Sequence, residues 1–318
     1  MRLIFMGTPA FAVTSLARLV ADGHIVEAAF TQPDKPAGRG NKLLQPPVKL
    51  FAVERGITVF QPARIKTNEE VRATFAAIAP DACIVAAYGK ILPDWMLSIP
   101  RLGCINVHAS LLPKYRGAAP VNWAIANGER ETGVTIMQMD AGLDTGAMLA
   151  RRAVEIVDDE TAAELSSRLA ELGAGLLSET LRRLEAGEIR PVPQNNTEAT
   201  YAPMLKREDG LIDWTQTASQ IANRIRAFQP WPGCHTTLGH HRLIIWRARA
   251  STENQTTGQP AVQPATIVGV DKTGVTVACG GVSALHVEEI QIEGKRRLPA
   301  RDVVNGLRLT MGARISDG

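Results

Sequence analysis

The first half of the chain alternates short apolar runs with segments of helical periodicity. Strands are predicted at residues 3–6, 25–30, 83–87, 104–107 and 134–139. Helices are predicted between and after them, near residues 11–20, 48–55, 69–78 and 121–127. Strands that alternate with helices in this way are typical of βαβ units. The pattern therefore predicts an α/β fold with a doubly wound, mostly parallel sheet.

A long amphipathic segment follows, from about residue 162 to residue 186. Its leucines recur on one stripe of a helix, at Leu165, Leu169, Leu172, Leu176 and Leu184. Thr161 and Glu164 have the spacing of an N-terminal capping box, and Gly187 is placed to end the helix. We expect this helix to close a first domain of residues 1–188.

The rest of the chain predicts a linker and a smaller domain. Proline and asparagine interrupt residues 189–204, which lack apolar periodicity and should run extended over the surface. A helix near residues 218–227 then precedes five short apolar runs, at residues 235–238, 243–248, 265–270, 274–278 and 284–292. Short strands at this spacing favour a small β-barrel of the oligonucleotide-binding (OB) type. Residues 205–318 should form this second domain.

Composition adds limits on the class of protein. The chain has 318 residues, suited to two domains, and 45% of them are hydrophobic. No run approaches the roughly 20 apolar residues needed to cross a bilayer, so we expect a cytoplasmic protein with no membrane partner. The four cysteines show no C-x-x-C spacing, and neither a disulfide framework nor a metal site is predicted.

Basic residues are in excess in the second half only. Residues 205–318 carry 14 Lys and Arg against 10 Asp and Glu, whereas residues 1–204 carry 21 against 22. A basic domain fits a polyanionic partner. On charge alone, a solvated surface without a partner remains an equal alternative.

The most informative side chains follow the predicted strand 104–107. Asn106 and His108 are two residues apart and therefore share one face of that strand. Ligands of open α/β sheets bind beyond the carboxyl ends of the strands, where this pair is expected. An amide can hold a developing oxyanion, and an imidazole can move a proton near neutral pH. The pair indicates acyl-group chemistry; taken alone, each residue has the alternative of a hydrogen-bonded core side chain.

Asp144 is the third candidate and follows the predicted strand 134–139. Gly142 and Gly146 flank it and permit a tight turn that aims its carboxylate back into the crevice. Its alternative is a turn-forming aspartate with no chemistry. Beside His108, the carboxylate could orient the imidazole and accept the proton of an attacking amine.

Motifs of several other enzyme classes are missing. The first strand is followed by Gly7-Thr8-Pro9 rather than by G-x-G-x-x-G, and neither a P-loop motif nor G-x-S-x-G occurs. These observations argue against an NAD-dependent enzyme, a nucleoside triphosphatase and a serine hydrolase.

Several motifs together resemble those of folate-dependent formyltransferases. The catalytic part of the resemblance is Asn106-x-His108-x-Ser110-Leu111-Leu112-Pro113-x-x-Arg116-Gly117, followed by Asp140-x-Gly142-x-Asp144-x-Gly146. Other segments are similar to members that act on methionyl-tRNA, namely Phe5-Met6-Gly7-Thr8-Pro9, Pro33-Asp34-Lys35-Pro36-Ala37-Gly38-Arg39-Gly40, Ile212-Asp213-Trp214 and Pro230-Trp231-Pro232-Gly233. The resemblance covers nearly the whole chain.

This resemblance implies a reaction and roles. The formyl donor would be 10-formyltetrahydrofolate, and the acceptor would be the amino group of methionine esterified to initiator tRNA. Asn106 and His108 would stabilise the tetrahedral oxyanion, and Asp144 would assist proton transfer from the amine while His108 is held in place. Neither a metal, NAD nor a covalent enzyme intermediate is implied.

The same resemblance implies binding residues. Those that would border the folate are Ser110, Leu111, Leu112, Pro113, Tyr88, Gly89, Ile91, Leu92 and Asp140. Residues 32–47, rich in glycine and cations, resemble the loop that reaches the acceptor end of the tRNA. Arg39, Lys42 and Lys49 are then candidate RNA contacts. Without the resemblance, a solvated surface loop would be preferred.

Two other functions stay open from the sequence. A formyltransferase acting on an amino sugar nucleotide would share the catalytic signature, and an RNA-binding module could retain a folate-binding domain without turnover. The basic second half and the loop around Arg39 favour tRNA over the sugar nucleotide, whereas intact Asn106, His108 and Asp144 favour catalysis. We expect a monomer.

Overall fold

The computed structural model describes residues 1–37, 42–251 and 262–316. The helices and strands of the first part of the chain are β1 (Arg2–Gly7), α1 (Ala10–Ala21), β2 (Ile25–Phe30), β3 (Lys35–Ala37), β4 (Lys42–Leu44), α2 (Pro47–Glu54), β5 (Thr58–Phe60), α3 (Glu69–Ile78), β6 (Ala82–Ala86), α4 (Asp94–Ser98), β7 (Cys104–His108), β8 (Arg116–Gly117), α5 (Pro120–Ala126), β9 (Glu131–Gln138), β10 (Met148–Glu155), α6 (Ala162–Glu185) and β11 (Tyr201–Ala202). All five strands predicted for this part are present, each within three residues of its predicted limits.

A seven-stranded sheet organises these elements, in the order β10-β9-β7-β6-β1-β2-β5. The five strands from β7 to β5 pair in parallel. The mostly parallel sheet predicted from the sequence is therefore confirmed. β9 runs antiparallel to β7, and β10 runs antiparallel to β9. The apolar pattern did not predict this reversal, because a buried strand has the same composition in either direction.

Helices cover both faces of the sheet. On one face, Val71 and Phe75 of α3 join a buried cluster with Phe30 of β2 and Met96 of α4. α6 lies on the other face, where a Cβ added at Gly173 would approach the Val107 side chain to 2.9 Å. Helices on both faces of a mostly parallel sheet are the doubly wound arrangement.

The predicted N-terminal cap of α6 is present. The Thr161 amide and hydroxyl donate to the Glu164 carboxylate at 2.9 and 2.8 Å, and the Glu164 amide returns a bond to the Thr161 hydroxyl at 3.4 Å. Leu165 and Leu169 of the predicted stripe are fully buried. The apolar stripe and the cap together determine the position of this helix.

Residues 189–203 are mostly exposed and bridge to neighbouring strands at two places. Val192 exchanges two backbone hydrogen bonds with Met148, at 2.8 and 2.9 Å. β11 pairs in parallel with β8, and Ala202 is fully buried. Proline and asparagine prevent a helix here, but they leave enough amides and carbonyls for single bridges to neighbouring strands. The segment therefore packs on the unit that contains the seven-stranded sheet.

The second unit contains α7 (Ala218–Ala227), β12 (Cys234–Leu238), β13 (His241–Ala250), β14 (Ile267–Val270), β15 (Val275–Cys279), β16 (Ser283–Ile292), β17 (Arg297–Pro299) and α8 (Ala300–Gly306). Its sheet has the order β12-β13-β16-β15-β14, with β17 paired to β16, and every pairing is antiparallel. All five strands predicted for the second domain are present. Among the described residues, no pairing joins β12 to β14, so closure into a barrel stays a prediction.

The division into two compact units differs in detail from the predicted domains. The second unit comprises the chain from Met204 onward together with Val121–Arg130 and Ile156–Leu165. Apolar periodicity cannot assign such short segments, because it reports that a face is buried without naming the surface that buries it. Within the described residues, no helix has the length and apolar content to span a membrane.

Candidate active site

β7 presents Asn106 and His108 on one face of the sheet. The two side chains are nearly buried: 8% of Asn106 and 5% of His108 remain exposed. Asn106 lies between Val85 of β6 and Met137 of β9. No hydrogen bond engages its side-chain amide within the described residues, and this amide is not among the fully buried side-chain groups that lack a partner, so the exposed part of Asn106 includes its amide. Asn106 therefore offers a donor and an acceptor to a ligand.

The His108 ring is held by one backbone carbonyl. Its Nε2 lies 3.0 Å from the carbonyl oxygen of Tyr115, which can only accept, so Nε2 carries the proton of this bond. Nδ1 then faces the carboxylate of Asp144, with Oδ2 at 3.7 Å. The two groups are within ion-pair range but beyond hydrogen-bond length. A proton on Nδ1 would thus lie between the ring and the carboxylate.

Asp144 reaches this position through a loop that turns back. β9 ends beside the start of β7, where the Met139 amide donates to the Cys104 carbonyl at 2.7 Å. The Asp140 carboxylate then accepts bonds from the Gly142 amide and the Thr145 hydroxyl, which shapes the turn. Asp144 has a φ of 51°, and its Oδ2 accepts a bond from the Gly117 amide at 2.8 Å. The sequence placed Asp144 beside His108, but it did not reveal this antiparallel route.

The loop after β7 is built around buried polar groups. The Ser110 hydroxyl donates to the Lys114 carbonyl at 2.6 Å, and the Thr135 hydroxyl donates to the Ser110 carbonyl at 2.7 Å. Ser110 and Leu112 are fully buried, Pro113 is buried and Leu111 is half-buried. These contacts give the loop a structural role in presenting Tyr115 to His108. The folate contact of all four residues, Ser110 to Pro113, stays a prediction.

The other predicted folate residues divide between core and surface. Tyr88 and Leu92 belong to the buried cluster around α3, whereas Ile91 is 87% exposed and Gly89 is exposed. Burial raises the pKa of the Tyr88 hydroxyl, which has no hydrogen-bonding partner among the described residues and stays neutral. Asp140 is exposed and serves its own turn. Of this group, Gly89, Ile91 and Asp140 retain surface that a ligand could contact.

The predicted RNA-binding cations have different settings. Lys49 forms an ion pair with Asp34 at 2.7 Å, and Gln61 donates to the other Asp34 oxygen at 2.8 Å. Hydrogen bonds from Lys49 and Gln61 lower the pKa of Asp34, so the pair stays charged. Lys49 is thus already neutralised by a protein carboxylate. Arg39 and the Lys42 side chain lie outside the described residues.

Residues that sequence reasoning did not assign surround Asp144. Gln194 donates to the carbonyls of Asp144 and Gly146, both at 2.8 Å. Arg116 donates to the Gln194 side-chain oxygen and to Asn196. The sequence pattern gave no signal for Gln194, because it lies in the segment predicted as a linker. Within the described residues, no group of three or more His, Cys, Asp or Glu is placed to hold a metal ion.

Comparison with known proteins decides the family. A model described as "Formyl transferase" matches residues 1–181, and "Formyl transferase, C-terminal domain" matches residues 204–308. A methionyl-tRNA formyltransferase of Geobacter metallireducens is 50% identical over 98% of this chain and 98% of its own length. Another from Koribacter versatilis is 52% identical over 97% of this chain and 96% of its own length. The chain belongs to the methionyl-tRNA formyltransferase family.

Solved structures support the fold of this formyltransferase. The sugar 3N-formyl transferase WlaRD superimposes with a TM-score of 0.64 at 18% identity, covering 93% of this chain and 99% of its own. HypX from Aquifex aeolicus, solved in complex with tetrahydrofolic acid, gives a TM-score of 0.59 at 18% identity, covering 96% of this chain and 47% of its own. At such identities the likeness establishes the shared fold alone. The family resemblance inferred from the motifs is confirmed by the full-length relatives.

Proposed function

We propose that this formyltransferase moves the formyl group of 10-formyltetrahydrofolate to the amino group of methionyl initiator tRNA, as required for translation initiation. The observation that carries the proposal is the side-chain amide of Asn106, which hydrogen-bonds no described residue and lies on the same strand as His108, the partner of Asp144. The full-length relatives named for methionyl-tRNA favour this acceptor over an amino sugar nucleotide.

Asn106 would act on the oxygen of the formyl group. When the methionine nitrogen forms a bond to the formyl carbon, the carbonyl π electrons move onto that oxygen. The Asn106 amide can donate to the resulting oxyanion without first breaking another bond, since it has no protein partner.

His108 and Asp144 would manage the proton of the attacking amine. The nitrogen becomes positively charged on attack and loses a proton, which the Asp144 carboxylate can take beside His108 Nδ1. The oxyanion then re-forms the carbonyl as the bond from the formyl carbon to N10 of the folate breaks, and N10 takes up the proton that Asp144 accepted. Charge and atoms balance with no covalent bond to the enzyme, so catalysis would rest on positioning and oxyanion stabilisation.

A test of the proposed reaction needs only purified components. The full chain is mixed with 10-formyltetrahydrofolate and charged initiator tRNA, and the esterified amino acid is released and identified. We expect formylmethionine and tetrahydrofolate to form in equal amounts. Tetrahydrofolate released without formylmethionine would show hydrolysis of the donor and refute formyl transfer to this amine.

We propose that the basic second domain, residues 205–318, binds the tRNA and that the first domain, residues 1–188, carries out catalysis. Lys295, Arg296 and Arg297 are consecutive and exposed where β16 turns into β17. Exposed cations that neutralise phosphates release counterions, so affinity falls as salt rises.

Arg296→Ala should weaken tRNA binding and reduce the slope of log affinity against log salt by about 1. Arg101→Ala serves as the control. Arg101 is an exposed cation that pairs with Asp81 at the amino ends of β6 and β7, whereas the candidate active site lies at the carboxyl end of β7. Filter binding from low to high salt gives both slopes. An Arg296→Ala slope equal to that of Arg101→Ala would show that the turn between β16 and β17 does not bind RNA.

Arg39 is the proposed anchor of the loop 32–47 on RNA, since a planar guanidinium can bond phosphate with two donors or stack on a base. Arg39→Lys should therefore lower kcat/KM for charged tRNA by about tenfold and leave the KM for the folate unchanged. The exposed Arg72→Lys in α3 is the matched control. Unchanged initiator tRNA kinetics after deletion of residues 38–41 would return the loop to a solvated surface.

We also propose that the protein acts as a monomer in the cytoplasm. Support for a monomer is that His108 and Asp144 face each other within one chain, at 3.7 Å. Sedimentation at assay concentration should give the mass of one chain, and activity per mole should not change on dilution. A loss of specific activity on dilution would contradict a monomeric enzyme.

A further inference from the structure

Three consecutive residues hold both His108 and Asp144. The Tyr115 carbonyl accepts from His108 Nε2, and the Gly117 amide donates to Asp144 Oδ2. Arg116, between them, is 2% exposed and directs its guanidinium at Gln194. The spacing of the imidazole and the carboxylate therefore depends on where this short segment lies.

Gln194 joins Arg116 to the Asp144 loop. Its side-chain oxygen accepts from Arg116 Nε and Nη2 at 3.0 and 2.7 Å. Its amide nitrogen donates to the carbonyls of Asp144 and Gly146, both at 2.8 Å. These four bonds use both donors and the acceptor of one amide. The two donated bonds go to the residues immediately before and after Thr145. A surface glutamine seldom has all of its polar capacity engaged.

The backbone conformation of Asp144 explains why the hydrogen bonds from Gln194 are important. A φ of 51° lies in the left-handed region, which non-glycine residues adopt rarely and at a cost in free energy. Aspartate tolerates this region better than most non-glycine residues, and local hydrogen bonds help to keep it there. Here Gln194 fixes the carbonyl of Asp144 and Gly117 fixes its carboxylate. Without the Gln194 donors, the loop can relax and move the carboxylate away from His108 Nδ1.

We propose that Gln194 is a positioning residue for formyl transfer, which with Arg116 holds Asp144 in its left-handed conformation facing His108. The inference rests on the proposed role of Asp144 in that reaction. It gives the segment 189–203 a part in catalysis, although the sequence of that segment predicts only a connection between domains. Gln194 itself need not touch either substrate.

Two substitutions test the contributions of the Gln194 side-chain oxygen and nitrogen. Gln194→Glu keeps an acceptor for Arg116 but loses both donors to the loop. Gln194→Met keeps the length of the side chain without either function. Asn195→Ala is the control, because Asn195 is exposed and its side chain hydrogen-bonds Thr197 and Glu198 rather than the Asp144 loop.

Single-turnover transfer to charged initiator tRNA should fall in both Gln194 variants by on the order of ten- to a hundredfold, the effect of a displacement near 1 Å. The KM for 10-formyltetrahydrofolate should stay within about twofold of wild type, and Asn195→Ala should match wild type. Equal thermal unfolding midpoints would exclude a general loss of folding. Wild-type rates in both Gln194 variants would overturn the inference.

A double-mutant cycle with Asp144→Asn distinguishes a Gln194 that positions Asp144 from a Gln194 that only stabilises the fold. If Gln194 acts through Asp144, adding Gln194→Met to Asp144→Asn should lower the rate by less than about threefold, because the group being positioned is already lost. Effects that multiply would overturn the positioning role while leaving the proposed reaction intact. A wild-type rate in Asp144→Asn alone would overturn both the inference and the proposed role of Asp144.

Discussion

Asn106→Ala is expected to lower the rate of formyl transfer by on the order of a hundredfold or more. The substitution removes a donor that has no other bond to make, and loss of one oxyanion donor typically costs that much in turnover. The KM for either substrate should change much less, because the oxyanion exists only after attack has begun. Single-turnover kinetics with saturating donor and charged initiator tRNA measure the chemical step directly.

Asn305→Ala provides the control for the Asn106 substitution. Asn305 is an exposed asparagine of α8 in the second unit, so its loss should leave transfer and folding unchanged. Circular dichroism and thermal unfolding would establish that the Asn106→Ala protein is folded. A folded Asn106→Ala enzyme with near-normal turnover would remove oxyanion stabilisation by this amide from the mechanism.

His108→Ala should reduce turnover by a comparable factor, on the order of a hundredfold. The ring fixes a nitrogen beside Asp144 by donating from Nε2 to the Tyr115 carbonyl, and alanine loses both groups. The measurement is again the single-turnover rate, with donor affinity determined separately by fluorescence titration.

His108→Gln distinguishes the chemical role from the structural one. The amide of glutamine can take the place of Nε2 and donate to Tyr115, but it supplies nothing at the position of Nδ1. We therefore expect His108→Gln to restore the unfolding temperature toward wild type without restoring turnover. Recovery of most of the activity in His108→Gln would show that the bond to Tyr115, and not Nδ1, is the contribution of this residue.

The parts of the fold that the sequence predicted are those coded by local patterns. The strand 25–30, the helix 69–78 and the Thr161 cap all lie where periodicity or spacing placed them. The pairing of Asn106 with His108 followed from the two-residue repeat of a strand. Each of these features depends on neighbours in the sequence, so the sequence alone was sufficient.

Features that depend on long-range pairing were not predictable in this way. The direction of β9 relative to β7 is decided by how the chain returns across the sheet, and the apolar run is the same for both directions. Gln194 acquires its bonds from Arg116 and Asp144, which are distant in sequence. A glutamine that follows Pro193 and precedes two asparagines carries no local signal of such contacts. Sequence patterns therefore located the candidate catalytic residues more completely than the residues that hold them in place.

The most direct measurement is a competition for one donor. Methionyl initiator tRNA, methionyl elongator tRNA and an amino sugar nucleotide are mixed at equal concentration with limiting 10-formyltetrahydrofolate and the full-length chain, and the formylated products are quantified. We expect formylmethionyl initiator tRNA to dominate, with Asn106→Ala reducing its formation without changing the preference. Preferential formylation of the amino sugar nucleotide, or no formylated product at all, would contradict the proposed function.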